Sequence, residues 1–171
     1  IKMAEALKNF DPSQLESHWP PGYSLLLAGI AKLTNNPVYS IARNISVVLA
    51  FLYVVGFNIL LGRVNFGTTF LLNALLILTA SFSVFFWVWS EPLFALLFVI
   101  HLIQMQSKSR QTHTVFILFM SFVLGCLVLV RYSGIAVIAA SSLYVLLQRN
   151  PIRTKLKSVL LLNTMPLIVL G

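Results

Sequence analysis

The chain has 171 residues, 58% of them hydrophobic and only 9% charged, with a formal net charge of +8. Its mean hydropathy of +0.91 lies well outside the usual range of soluble domains. The single cysteine, Cys126, sits mid-run as a small apolar residue, so neither a disulfide nor a cysteine metal site is expected.

Read from the first residue, "IKMAEALKNF" predicts a short amphipathic helix, with Met3, Leu7 and Phe10 on one face and Lys2, Glu5, Lys8 and Asn9 on the other. A polar loop from Asp11 to His18 follows, and then "HWPPGYSLLLAGIAKLTNN". Pro20 and Pro21 stop one helix and start the next, because proline disfavours the helical region at the residue before it but is tolerated in a first turn. The apolar run from Tyr23 to Thr34 would rise about 18 Å as a helix, against about 30 Å of bilayer hydrocarbon. It is expected to lie along the membrane surface, with Ser24, Ala28 and Lys32 as a small-or-polar stripe and Leu26, Leu27, Ile30 and Leu33 covering the rest.

Longer apolar stretches then recur at Ile45–Leu61, Phe66–Trp89, Pro92–Met105, Val115–Val130, Gly134–Leu147 and Val159–Gly171. They show no period-two alternation, and an open sheet edge cannot face lipid, so strands are excluded. The expected fold class is all-α: a polytopic transmembrane helical bundle with outer juxtamembrane amphipathic helices. Residues 1–36 form the outer helices and their loop, and residues 38–171 form about five spans and the start of a sixth. The chain reads as part of a longer protein.

Charge sets the orientation. With the first crossing at Val38–Leu61, seven of the twelve cations fall on one face: Arg63, Lys108, Arg110, Arg149, Arg153, Lys155 and Lys157. The positive-inside tendency makes that face cytoplasmic. The four acids, Glu5, Asp11, Glu16 and Glu91, fall on the other, together with Trp19, Trp87 and Trp89 as an aromatic belt. The positive charge is a topology signal that also suits anionic headgroups, and no nucleic acid partner is implied.

Three residues stand out. Glu91, in "SEP", is the only acid after Glu16 and lies at the outer edge of an apolar block. Helix-start chemistry also accounts for it, with Ser90 as cap and Pro92 in the first turn. Arg131, in "RYSG", is the cation on the wrong face by the charge rule. It is a snorkelling side chain or a guanidinium that holds a phosphate. His18 beside Trp19 and Pro20 is an interfacial residue or a donor to phosphate.

"HWPPGYSLLLAGIAKL", "ARNISVVLAFLYVVGFNILLGRV", "WSEPLFALLFVI" and "VLVRYSGIAVIAASSLYVLL" occur in that order. The ordered set resembles the amino-terminal half of GT-C membrane glycosyltransferases. The likeness is to bacterial relatives of the dolichyl-phosphate-mannose–protein mannosyltransferases and of the lipid A aminoarabinose transferases. It implies a multi-pass enzyme of the bacterial inner membrane that moves a sugar from a polyprenyl-phosphate donor to an acceptor on the outer side. It further implies Glu91 at the active-site cavity, where orienting the acceptor, binding a metal and stabilising the donor site are all open roles. Arg131 and His18 become the substrate-binding candidates. The family's first catalytic acid would precede Ile1, and Glu5 does not occupy its motif. No cofactor is evident in the sequence, although a divalent metal is compatible with the family. Two other readings are a transporter or flippase with one broken helix at Arg131–Gly134, and a membrane scaffold without chemistry; no inverted repeat supports the transporter.

Overall fold

The computed structural model describes residues 2–9, 20–62, 65–78, 90–106 and 114–170, and all its regular structure there is helical. The helices are α1 (Lys2–Asn9), α2 (Gly22–Thr34), α3 (Val38–Leu60), α4 (Phe66–Leu78), α5 (Glu91–Gln106), α6 (Thr114–Val130), α7 (Gly134–Leu147) and α8 (Ile152–Leu170).

Among the described residues only α3, with 23 residues, is long and apolar enough by itself to cross a membrane. The other helices do not pass that test, although α5, α6 and α7 cover the expected stretches Pro92–Met105, Val115–Val130 and Gly134–Leu147. α5, α6 and α7 have 16, 17 and 14 residues, or roughly 21–26 Å at 1.5 Å per residue. α8 has 19 residues, with Arg153, Lys155 and Lys157 in its opening turns. The end of the expected Phe66–Trp89 span, with Trp87 and Trp89, lies outside the described residues, as do Trp19 and His18.

Two apolar clusters organise the chain. In the first, Ala4 of α1 meets Tyr23, Leu27, Ala28 and Ala31 of α2 and Val38, Ile41 and Ala42 of α3. The packed faces agree only in part with the expected ones: Lys2, Glu5 and Asn9 of α1 are exposed and Leu27 of α2 is buried as expected, but alanines make much of the contact. α1 packs through its small Ala4, which lets the helix axes approach, and Leu7 only flanks the contact. On α2 the packed stripe is Tyr23, Leu27 and Ala31, at helical spacing of four. Ala28 is buried beside it, whereas Lys32 is exposed, so the small-or-polar stripe of Ser24, Ala28 and Lys32 runs from the packed interior out to the surface. Asn35, with φ of 53°, ends α2 in the left-handed region that asparagine tolerates. The Lys8 ammonium donates to the Asn36 carbonyl at 3.1 Å, tying the end of α1 to this turn.

The second cluster holds α5 to α8: Ile117, Met120, Leu124 and Leu127 of α6 surround Leu162 of α8, with Phe94, Leu97, Val137 and Val145 packed against them. Polar pairs reveal the helix directions. Gly56 of α3 lies against Val99 of α5, and Gln106 Nε2 donates to the Leu60 carbonyl at 3.4 Å, so these two helices run the same way. Glu91 meets Arg131 and His101 meets Ser141, so α5 and α7 also run the same way. Lys155 to Leu146 and Asn163 to Ser142 make α7 and α8 antiparallel. α4 is held to α3 by a reciprocal amide pair, Asn58 with Asn73, at 3.2 and 2.9 Å.

At the Arg131–Ser133 turn the chain reverses. Gly134 N–H donates to the Arg131 carbonyl at 2.9 Å, and Gly134 is so close to the Leu127 and Val128 backbone that a Cβ would stand 2.7 Å from it. α6 and α7 are therefore neighbours in a helical hairpin, not the two halves of one interrupted span.

Candidate functional site

Glu91 opens α5, where the amino-terminal end of the helix dipole favours a negative charge. Arg131 follows the last residue of α6, its N–H still donating to the Leu127 carbonyl at 2.9 Å, where the carboxy-terminal dipole favours a positive charge. Each charge suits its own helix end. The fold places those two ends side by side, and the Arg131 guanidinium donates to Glu91 Oε1.

The pair is only half-buried, with side-chain exposures of 40% for Arg131 and 27% for Glu91. Part of the guanidinium edge therefore faces open space. The second carboxylate oxygen, Glu91 Oε2, is buried, and among the described residues no donor reaches it. A buried anionic oxygen without a donor is costly, so it is a natural docking point for a hydroxyl or amide proton. The pair lines a cavity of about 380 Å³, closed by Pro20, Ser90, Val130, Tyr132 and Ser133.

Why Pro20 reaches this cavity is a matter of backbone contact. Gly22 begins α2, and a Cβ there would stand 2.7 Å from the Leu129 carbonyl oxygen of α6. Only glycine allows this approach. α2 is thereby pinned to the end of α6 two residues before Arg131, and Pro20 hangs over the ion pair.

Tyr23, next along α2, is buried, with its hydroxyl beside that of Ser46. The nearby Ser46 hydroxyl spends its proton on the Ala42 carbonyl at 2.9 Å. Burial pushes the Tyr23 phenol above its usual value; Ser46 opposes the rise and the Glu91 charge adds to it. Tyr23 thus belongs to the electrostatic surroundings of Glu91.

The structure brings two of the three sequence candidates, Glu91 and Arg131, into one site, while His18 lies outside the described residues. Tyr132 is exposed and lines the cavity. Reading the sequence missed the pairing itself, the Pro20 and Tyr23 contributions, and a buried polar group deeper in the bundle. There His101 Nε2 lies 2.7 Å from Ser141 Oγ, with Gln104 buried one turn further on. The signal was present: a histidine and a glutamine inside an apolar run are expensive in lipid and mark a site of interest.

Among the described residues no three or more His, Cys, Asp or Glu side chains come together to hold a metal ion. No family model, no curated protein and no solved structure matches the chain.

Proposed function

We propose that this chain is the amino-terminal part of a multi-pass membrane glycosyltransferase that takes its sugar from a polyprenyl-phosphate donor. The observation that carries the reading is the Glu91–Arg131 pair, contributed by residues 40 apart and facing an open cavity beneath Pro20. The two signs divide the work of the reaction. Arg131, with its remaining N–H groups, holds the donor phosphate, for which a planar fork is suited. Glu91 Oε2 accepts a hydrogen bond from the acceptor hydroxyl. The acceptor oxygen forms a bond to the anomeric carbon as the anomeric carbon–phosphate oxygen bond breaks. The electron pair leaves with the polyprenyl phosphate, and the acceptor proton passes to the acid that the resemblance expects upstream of Ile1.

The helices α3 to α8 cross the membrane on this reading, with the ends that carry Glu91 and Arg131 outside. α1 and α2 pack beside the first two turns of α3 and serve as the juxtamembrane helices. The transporter reading relied on one broken helix at Arg131–Gly134, and a hairpin there gives it no support.

The test is sugar transfer from a polyprenyl-phosphate donor by the purified full-length protein, normalised to folded protein. Glu91→Gln keeps the side chain's size and removes its charge. Loss of a transition-state electrostatic contact of this kind costs about a hundredfold or more in turnover. Near-normal turnover of Glu91→Gln would reduce Glu91 to a helix-start acid and remove the proposal.

A further inference from the structure

A second cavity, of about 840 Å³, lies between α5 and α7, away from the Glu91–Arg131 site. Its volume is within the roughly 300–1,000 Å³ of pockets that take small-molecule ligands. α5 and α7 both pack on α6 but splay apart from one another, and the His101–Ser141 hydrogen bond bridges them within the cleft. Ser141 donates its hydroxyl proton to the Val137 carbonyl at 2.7 Å, so His101 Nε2–H is the donor across the cleft. Apart from Gln106 and the Tyr144 hydroxyl, the rest of the wall is apolar. Phe98, Ala136 and Ala140 are exposed along them, and Met105 and Tyr144 lie towards the far end.

The cleft has a direction. His101 and Ser141 each lie ten residues beyond the Glu91–Arg131 pair, about 15 Å along the helices. From there the cleft runs on to Gln106 and Leu60, at the opposite end of the bundle. That end is basic. Arg149 follows the end of α7, and Arg153, Lys155 and Lys157 occupy the opening turns of α8; Arg149, Arg153 and Lys157 are exposed. Lys155 folds back onto the Leu146 carbonyl at 2.8 Å, which brings the start of α8 to the end of α7. The described acids, Glu5 and Glu91, belong to the other end of the molecule.

We infer that the cleft between α5 and α7 is a binding site for an anionic phospholipid from the leaflet opposite the candidate active site. An acyl chain occupies the cleft as far as the His101–Ser141 bridge, and the phosphate lies among Arg149, Arg153 and Lys157. Moving an acyl chain from bilayer to cleft exchanges one apolar surrounding for another, so the chain contributes fit and little selectivity. Selectivity comes from the cations, each worth about fivefold for an anionic surface. The site rests on the multi-pass reading above but not on sugar transfer, and is remote from it.

Native mass spectrometry of the full-length protein, exchanged into phosphatidylglycerol or phosphatidylcholine of identical chains, reads this out. The wild type should retain one phosphatidylglycerol in clear preference to phosphatidylcholine. Arg149→Gln and Arg153→Gln should each lower that preference about fivefold and leave phosphatidylcholine retention unchanged. Ala140→Phe, which fills the cleft, should abolish retention of both, and Ala136→Leu serves where the larger side chain prevents folding. Equal retention of the two lipids by the wild type would overturn the proposal, as would phosphatidylglycerol retention indifferent to both cleft-filling variants. Release of the protein by alkaline carbonate would refute the membrane reading itself. Lipid retention without sugar transfer would sink the transferase alone.

Discussion

The same substitution at two places on α2 should have opposite effects. At Gly22 an added methyl stands 2.7 Å from the Leu129 carbonyl oxygen and 2.8 Å from its carbon, about 0.7 Å inside ordinary van der Waals contact. The obstacle is backbone at the end of α6, so no side-chain rotation relieves it and α2 must move away. Overpacking of this kind costs about 1–3 kcal/mol. At Gly29, in the middle of the same helix, an added methyl meets nothing within 4 Å. There Gly→Ala removes backbone entropy from the unfolded chain and should stabilise by about 0.5–1 kcal/mol. Thermal unfolding in mild detergent, with Gly22→Ala and Gly29→Ala measured side by side, reads both signs. The Gly22 variant should also lose sugar transfer beyond its loss of folded protein, because the displaced α2 carries Pro20 off the Glu91–Arg131 cavity. A Gly22→Ala protein as stable as Gly29→Ala would refute the close approach of α2 to α6, and with it the account of how Pro20 reaches the site.

Four further outcomes are expected. Glu91→Gln and Arg131→Gln, combined in a double-mutant cycle, should show a coupling of only about 0.2–1 kcal/mol in unfolding, because Arg131 is 40% exposed and its charge is screened by water. His101→Leu removes the α5–α7 bridge, and the same cycle repeated in that background should give a smaller coupling. Asn58→Ala should cost about 0.6–2 kcal/mol, since it breaks an interhelical amide pair but leaves Asn73 bonded to the Thr69 carbonyl. For Tyr23 the raised phenol makes stability fully present below about pH 10 and lost as pH climbs towards the folded value, because the unfolded chain ionises first; in an absorbance titration Tyr23→Phe should diminish the late-ionising fraction, and Glu91→Gln should shift it to lower pH.

The helical class was legible because apolar runs without period-two alternation leave little alternative, and the charges at their ends gave Glu91 and Arg131 away. Helix faces were less legible. On α1 and α2 the ranking of residues by hydrophobicity favoured Met3, Leu7 and Leu26, whereas the contacts fall on Ala4, Ala28 and Ala31, whose small side chains allow close backbone approach. In a chain where most residues are apolar, hydrophobicity no longer distinguishes a packed face from a lipid-facing one. Leu33 is 88% exposed while Ala31 is fully buried. Pairing was not legible at all. Glu91 and Arg131 lie 40 residues apart, and only the return of α6 along α5, which ends at the Arg131–Ser133 turn, brings them together.

That reversal must also be held in register, and apolar packing alone does not hold it. On the membrane reading proposed above, leucine against leucine and leucine against lipid are nearly equivalent, so one helix can slide or turn past its neighbour at little cost. Directional pairs remove this freedom, and they occur at successive helix contacts: Asn58 with Asn73, His101 with Ser141, Ser142 with Asn163, and Ser121 with both Thr164 and the Met165 N–H. The last of these stands where Pro166 interrupts the bonding of α8, and where Gly125 admits the Met165 backbone against α6. A slip of one residue on α5 would turn Glu91 by about 100° around the helix axis and carry its carboxylate away from Arg131. The same slip would part His101 from Ser141, deeper in the apolar interior, where an unpaired polar group has no water to turn to. The deep pair therefore opposes the motion that would disassemble the outer one. Polar side chains that take no part in chemistry are what keep the two charged helix ends facing each other.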